Sequence, residues 1–179
     1  MIRLFAAIAI PHATSVDLAM LAGGVPGARW VPVENMHITL RFIGDVNPHM
    51  AEDVASAMSA ISAKPFDITL NGMGQFGGEQ PHSIFAAVAP NERLVALHKK
   101  IDRACQQIGL APDTRKFTPH VTLARMRYAP LPKVQEFVQT HSLYRANPFT
   151  VDSFGLYSSE LSHTGSIYHL EQSYRLIAG

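Results

Sequence analysis

The chain has 179 residues, 47% of them hydrophobic and 16% charged, with a formal net charge of +1. This suits one globular domain over residues 1–179, built as two lobes sharing a core, and is too apolar for a disordered chain. It excludes a uniformly cationic nucleic-acid-binding surface, though not a local basic groove, and the single cysteine, Cys105, excludes an internal disulfide framework and fits a reducing cytoplasm.

Residues 2–10 read as a strand, apolar on both faces and ended by Pro11. This stretch is short for a secretory signal and lacks a small-residue cleavage site. No run approaches the roughly 18 apolar residues of a membrane span. Thr14 or Ser15 is placed to cap a helix to about Ala22, before the loop Gly23 to Gly27. Asn35 to Ile43 is a strand closed by Gly44-Asp45. Asn47-Pro48 starts a helix to about Ser62, with Met50, Val54, Met58 and Ile61 as its apolar stripe. Pro65 to Leu70 reads as a strand, glycine-rich Gly72 to Pro81 as a loop or bulged hairpin turn, and Ser83 to Ala89 as a strand.

Asn91 caps a long helix to about Ile108, where Leu94, Leu97, Ile101, Ala104 and Ile108 keep helical spacing and Gly109 stops it. Lys116 to Met126 is a strand and Pro132 to Thr140 a short helix. Phe149 to Ser158 and Ile167 to Leu176 are the last strands, with a polar turn, Glu160 to Gly165, between them.

The most informative pattern is a repeat. His37-Ile38-Thr39-Leu40 returns as His120-Val121-Thr122-Leu123. On a strand, residues i and i+2 share a face, so each copy presents a histidine and a threonine together and buries its aliphatic residues behind them. One His-x-Thr on a strand is weak, because a structural or surface histidine explains it equally well. Two copies, each on an expected strand, point to one site. Imidazole exchanges protons near neutral pH, and a threonine hydroxyl donates to an anion. Displacement at phosphorus needs one group to take a proton from the nucleophile and another to protonate the leaving oxygen, on opposite sides of the phosphate. The two histidines supply both roles, although the residues alone do not say which takes which. Zinc ligation by His37 and His120 would need a further ligand that the sequence does not offer; no metal or cofactor is expected.

Arg115, Lys116, Arg125 and Arg127 bracket the second copy, with no acid between Thr114 and Tyr128, which fits a phosphate-bearing substrate. Strict alternation points Arg125 away from His120, so a bulge or a strand end is needed to bring it in. Arg41 has the parity to share a face with His37 and Thr39. Thr118-Pro119 imposes extended backbone before His120. Tyr157 and Tyr168, on the last strands, are candidates to line a cleft. Trp30 and Phe76 fit core or loop packing better than base stacking, and Cys105 reads as buried and inert.

With these residues in place, the chain resembles the two-histidine phosphoesterases, and within them the bacterial and archaeal RNA 2′,3′-cyclic phosphodiesterases, the 2′-5′ RNA ligase-like proteins of LigT/ThpR type. The resemblance runs through Arg3 to Ile8 and Pro11, Asn35 to Leu40, Phe42 to Val46, Phe66 to Gly74, Phe76, Phe117 to Arg125, Phe154 to Leu161, Gly165 and Tyr168 to Leu170. It implies a bilobal α+β fold, with two antiparallel sheets around a central cleft and helices outside. The implied activity is metal-independent hydrolysis of a 2′,3′-cyclic phosphate at an RNA end, leaving a 2′-phosphomonoester, with 2′-5′ joining of RNA ends as a secondary reaction.

By that resemblance His37 is the proton donor to the departing 3′-oxygen and His120 the acceptor that activates water. Thr39, Thr122 and Arg125 bind phosphate; Arg41, on its parity alone, and Tyr157, from its place on a late strand, are further candidate substrate contacts. The implied partner is RNA or an oligonucleotide, met by a cytoplasmic monomer with no membrane association. The modest overall basicity leaves open smaller substrates, such as cyclic mononucleotides or an ADP-ribose cyclic phosphate, and a non-catalytic module that binds RNA ends.

Overall fold

The computed structural model describes residues 1–177. In chain order the elements are β1 (Ile2–Ala9), α1 (His12–Ala19), β2 (Arg29–Trp30), β3 (His37–Val46), α2 (Pro48–Ser59), β4 (Phe66–Ile68), β5 (Leu70–Phe76), β6 (Ser83–Val88), α3 (Glu92–Gln107), β7 (His120–Arg125), α4 (Leu131–Thr140), β8 (Phe149–Val151), β9 (Ser153–Ser162) and β10 (Gly165–Arg175). Among the described residues no helix is long and apolar enough to cross a membrane.

The fold is α+β with antiparallel sheets, as expected. The halves expected as two sheets join in one eight-stranded sheet, ordered β10-β9-β1-β3-β7-β6-β5 with β2 beside β7. Its two flanks meet along a narrow seam, where β3 and β7 pair at Ile38 and Val121. A separate two-stranded sheet joins β4 to β8. It accounts for two departures from the sequence reading. The expected strand Pro65 to Leu70 divides around Thr69, and the expected strand Phe149 to Ser158 divides around Asp152. In each case the first part pairs in the small sheet and the second part joins the large one.

The helices follow their sequence signals closely. Asn47 caps α2 by accepting from the Met50 amide at 2.8 Å, with Pro48 in its first turn. Asn91 caps α3 by accepting from the Leu94 amide at 3.0 Å. Such caps satisfy amides that the helix leaves unpaired. Val54 and Met58 of α2 are buried, as are Leu94, Leu97, Ile101 and Cys105 of α3, and α3 packs behind β3. The first helix differs: it begins at His12 directly after Pro11, so Ser15 lies inside it, buried, and no side chain caps it.

Both motif strands carry a bulge that alternation does not foresee. Opposite β1, Thr39 faces Ala7 and Arg41 faces Ala6, so Leu40 is the extra residue. Opposite β6, Thr122 faces Phe85 and Ala124 faces Ile84, so Leu123 is the extra residue. An inserted residue resets the side-chain phase of the strand beyond it. Burial records the reset. In both strands histidine and threonine are half-buried, the two intervening aliphatics are buried, the next residue (Arg41 or Ala124) is also buried, and the one after (Phe42 or Arg125) is exposed.

Candidate active site

Antiparallel pairing at Ile38 and Val121 sets His37 across from Thr122 and Thr39 across from His120. All four side chains line one cavity of about 600 Å³. The two imidazoles, distant in sequence, therefore look into a single space.

Each ring is oriented by its own backbone. Nδ1 of His37 donates to the Asn35 carbonyl at 2.7 Å, and Nδ1 of His120 donates to the Thr118 carbonyl at 2.6 Å. A carbonyl oxygen only accepts, so Nδ1 carries the proton in both rings and Nε2 is the reactive nitrogen. In neutral His37, Nε2 accepts from the Thr39 hydroxyl at 3.1 Å.

Aromatic rings flank each imidazole. His37 lies 5.1 Å from Phe5 and 5.3 Å, edge to face, from Tyr168. His120 lies 4.9 Å from Phe76, also edge to face, and 5.2 Å from Phe85. Gly74 makes room for this second arrangement: a Cβ there would sit 2.5 Å from the Phe85 ring. These contacts hold the rings in place and withdraw them from water.

Burial holds the pKa of both histidines below the usual imidazole value. For His37, desolvation dominates, the Asn35 carbonyl opposes it, and the positive charges of Arg125 and then His120 add to the lowering. For His120, desolvation is again foremost, opposed by the Thr118 carbonyl and reinforced by Arg125. Both rings are consequently biased toward the neutral form, and a bound anion would raise both, since it favours the charged form.

The bulges decide which cations face this space. Leu123 rotates Arg125 onto the side of His120 and Thr122, where it is exposed and lines the cavity with both histidines. Leu40 has the converse effect on Arg41. Although Arg41 borders the cavity, it is only 5% exposed; it pairs with Asp102 at 2.8 Å and donates to the Phe42 and Ala111 carbonyls. Its hydrogen bonds tie β3 to α3 and to the segment leading into β7, so the substrate contact inferred from its parity is not what the geometry offers. Tyr157 is likewise set back, stacked behind Phe5 at 5.4 Å, and it borders neither cavity at the histidines.

On the other side of the site Tyr168 lines a cleft as expected, Trp30 joins it although core packing was the favoured expectation, and Arg29 and Asn35 carried no sequence signal as site residues. A second cavity of about 210 Å³ adjoins His37, Thr122 and Arg125 and is walled by Arg29, Trp30, Asn35 and Tyr168. Arg29 and Trp30 form β2, which pairs with Arg125 and Ala124 of β7. Two residues between Gly27 and Pro32 are too few to show strand periodicity. The side chain of Asn35 donates to the Ser166 carbonyl at 2.8 Å, fastening the β9–β10 hairpin beside His37.

An α+β fold carrying a histidine–threonine pair on each of two adjoining central strands is the arrangement of the two-histidine phosphoesterases. Residues 21–162 match the sequence profile of the 2′-5′ RNA ligase superfamily, and the chain belongs to that superfamily. It is 32% identical over 148 residues to the RNA 2′,3′-cyclic phosphodiesterase of Aeropyrum pernix, covering 81% of this chain and 84% of the relative. It is 35% identical over 147 residues to the protein of that name from Geobacillus stearothermophilus, covering 80% of this chain but only 46% of that longer relative. In three dimensions it matches a Thermus thermophilus protein with a TM-score of 0.81 and 26% identity over 97% of both chains. It also shares the fold of Escherichia coli LigT complexed with 3′-AMP, at a TM-score of 0.80 and 22% identity over 99% of both chains.

Proposed function

We propose that this protein hydrolyses 2′,3′-cyclic phosphates at RNA ends to 2′-phosphomonoesters, with His37 as proton donor and His120 as proton acceptor. The observation that carries the reading is the common cavity into which the two histidines and two threonines project from β3 and β7. Activity on RNA 2′,3′-cyclic phosphate by the relatives that bear that name supports the substrate.

The cyclic phosphate sits over the seam, with Thr39, Thr122 and Arg125 directed at its non-bridging oxygens. Nε2 of His120 has no hydrogen-bond partner among the described residues, which leaves its lone pair open to a water. That water loses its proton to His120 as its oxygen attacks phosphorus. The bond from phosphorus to the 3′-oxygen breaks opposite, and protonated His37 delivers the proton from Nε2 to that oxygen. Arg125 and the two hydroxyls meet the charge that gathers on the phosphoryl oxygens. The substrate's own charge raises the His37 pKa from its depressed value and so equips it as the acid. One chain supplies all of these groups, and we infer that it acts as a monomer in the reducing cytoplasm, where buried Cys105 stays a thiol.

The test is product analysis after incubating the protein with an RNA ending in a 2′,3′-cyclic phosphate, with a chelator present. A 2′-phosphate product is expected. A 3′-phosphate would reverse the leaving group, hydrolysis of mononucleotides alone would redirect the substrate, and salt-sensitive binding without turnover would make the protein an RNA-end binding module.

A further inference from the structure

The pairing of β2 with β7 puts like charges side by side. Arg29 lies directly opposite Arg125 across the antiparallel pair, and both are exposed. Residues in that relation have Cβ atoms about 5 Å apart, and like charges there repel. Neither side chain has a hydrogen-bond or ion-pair partner among the described residues, in contrast to Arg3, Arg41 and Arg115, each paired with an aspartate. Arg127, two residues beyond Arg125, is exposed and equally unpaired, with Met126 buried between them. An unrelieved like-charge pair costs stability, so its place beside the candidate active site calls for an anion.

The three arginines border one space. A cavity of about 500 Å³ is lined by Gly27, Arg29, Arg125, Met126, Arg127 and Tyr128, with no carboxylate among them. Gly27 brings the loop before β2 against its wall: φ is +82°, and a Cβ would sit 3.2 Å from the Tyr128 carbonyl oxygen. Arg29 and Arg125 also line the cavity of about 210 Å³ at His37, which has no carboxylate either. The two spaces therefore adjoin at those side chains. In-line displacement puts the leaving oxygen opposite the nucleophile. With His37 as donor to the 3′-oxygen, the reading on which this inference rests, the terminal nucleoside lies on the His37 side, next to Arg29.

We propose that Arg29 and Arg127 form a subsite for the phosphodiester on the 5′ side of the terminal nucleoside, so that strands are taken in preference to free cyclic mononucleotides. Arg125 meets the cyclic phosphate, and Arg29, directly opposite it, meets the next phosphate of the chain. A guanidinium fork matches phosphate oxygens, and a cleft lined by one sign of charge concentrates the local potential. The modest net charge of +1 is compatible with this, because the cations are gathered where the strand passes. The anions relieve the repulsion that the β2–β7 register builds in. Arg29 takes no part in the proton transfers; it sets which substrates are held in place for them.

The test compares two substrates: adenosine 2′,3′-cyclic phosphate with a free 5′-hydroxyl, and the same nucleotide carrying a 5′-methyl phosphate, which supplies the diester without a second base. In the wild type kcat/KM should be about tenfold or more higher for the methyl phosphate, the worth of one hydrogen bond to a charged group. Arg29→Ala should bring that ratio close to one. Arg29→Lys, which keeps the charge but loses the fork, should give a ratio in between, and Arg127→Ala should lower it less than Arg29→Ala does. A merely structural role for Arg29 would slow both substrates equally and leave the ratio as it is. A wild-type ratio near one, a ratio unchanged in Arg29→Ala, or a gain from a 5′-monophosphate but none from the methyl ester would each overturn the subsite while leaving the hydrolase reading intact. Failure of the wild type to hydrolyse an RNA 2′,3′-cyclic phosphate would instead remove the reading beneath it.

Discussion

The strand pairs around His37 and His120 are built to one plan and end in different chemistry. In both, the histidine donates from Nδ1 to the carbonyl two residues earlier, two aromatic rings flank the imidazole, and a leucine bulge follows the threonine. The plans part at the exposed residue after the bulge, which is phenylalanine in β3 and arginine in β7. They differ also in that His37 has a hydroxyl partner at Nε2, whereas His120 has none among the described residues. Near-twofold geometry brings two proton carriers to one phosphorus, and local substitutions then give each side its own task.

The sharpest way to break this comparison is to remove one proton carrier at a time. His37→Ala and His120→Ala should each lower kcat by about 10²–10⁴-fold with the fold retained; circular dichroism and turnover on RNA cyclic phosphate measure both. Wild-type turnover in either variant would remove that ring from the reaction.

Arg125→Ala should cost less, about 10–150-fold in kcat/KM, the worth of a hydrogen bond to a charged group. It should also move the pH profile. Arg125 lowers both histidine pKa values, so its loss raises them, and both limbs of the bell shift toward higher pH. An unmoved profile would place Arg125 outside the field felt by the rings. Phe42→Ala, the same position on the other half, should lower kcat/KM less than Arg125→Ala does and leave the pH profile in place, and that contrast tests whether the halves are functionally distinct.

Thr39→Val and Thr122→Val should have smaller effects, about tenfold each in kcat/KM. Asp102→Ala touches no substrate and should act on stability. It strands Arg41, 5% exposed, without its carboxylate, which costs about 3–5 kcal/mol when a buried pair is broken. Denaturant unfolding reads this directly, and a loss below about 1 kcal/mol would mean that the backbone carbonyls alone satisfy Arg41.

Much of this site was legible in the residues themselves. The repeated His-x-Thr pattern located both pairs, because aliphatic residues alternate with them on the buried face. The caps Asn47 and Asn91 and the stripes behind them located α2 and α3. The bulges were harder to read, since no glycine or proline marks Leu40 or Leu123; consecutive buried residues such as Leu123-Ala124 were the only trace. Parity therefore promoted Arg41, which the fold buries, and held back Arg125, which the fold brings in. Of the two tyrosines offered as cleft residues, Tyr168 reaches the site and Tyr157 does not, for a related reason. Which tyrosine reaches His37 depends on pairing across three strands, and sequence spacing along one strand does not carry that information.

The dependence of kcat/KM on pH, compared among wild type, His37→Ala and His120→Ala, tests the division of labour most directly. The wild type should give a bell. Its acidic limb reports the base losing its proton and should vanish in His120→Ala, and its alkaline limb reports the acid losing its proton and should vanish in His37→Ala. Both limbs persisting in either variant, or the limbs vanishing in the opposite order, would contradict the roles assigned to the two rings.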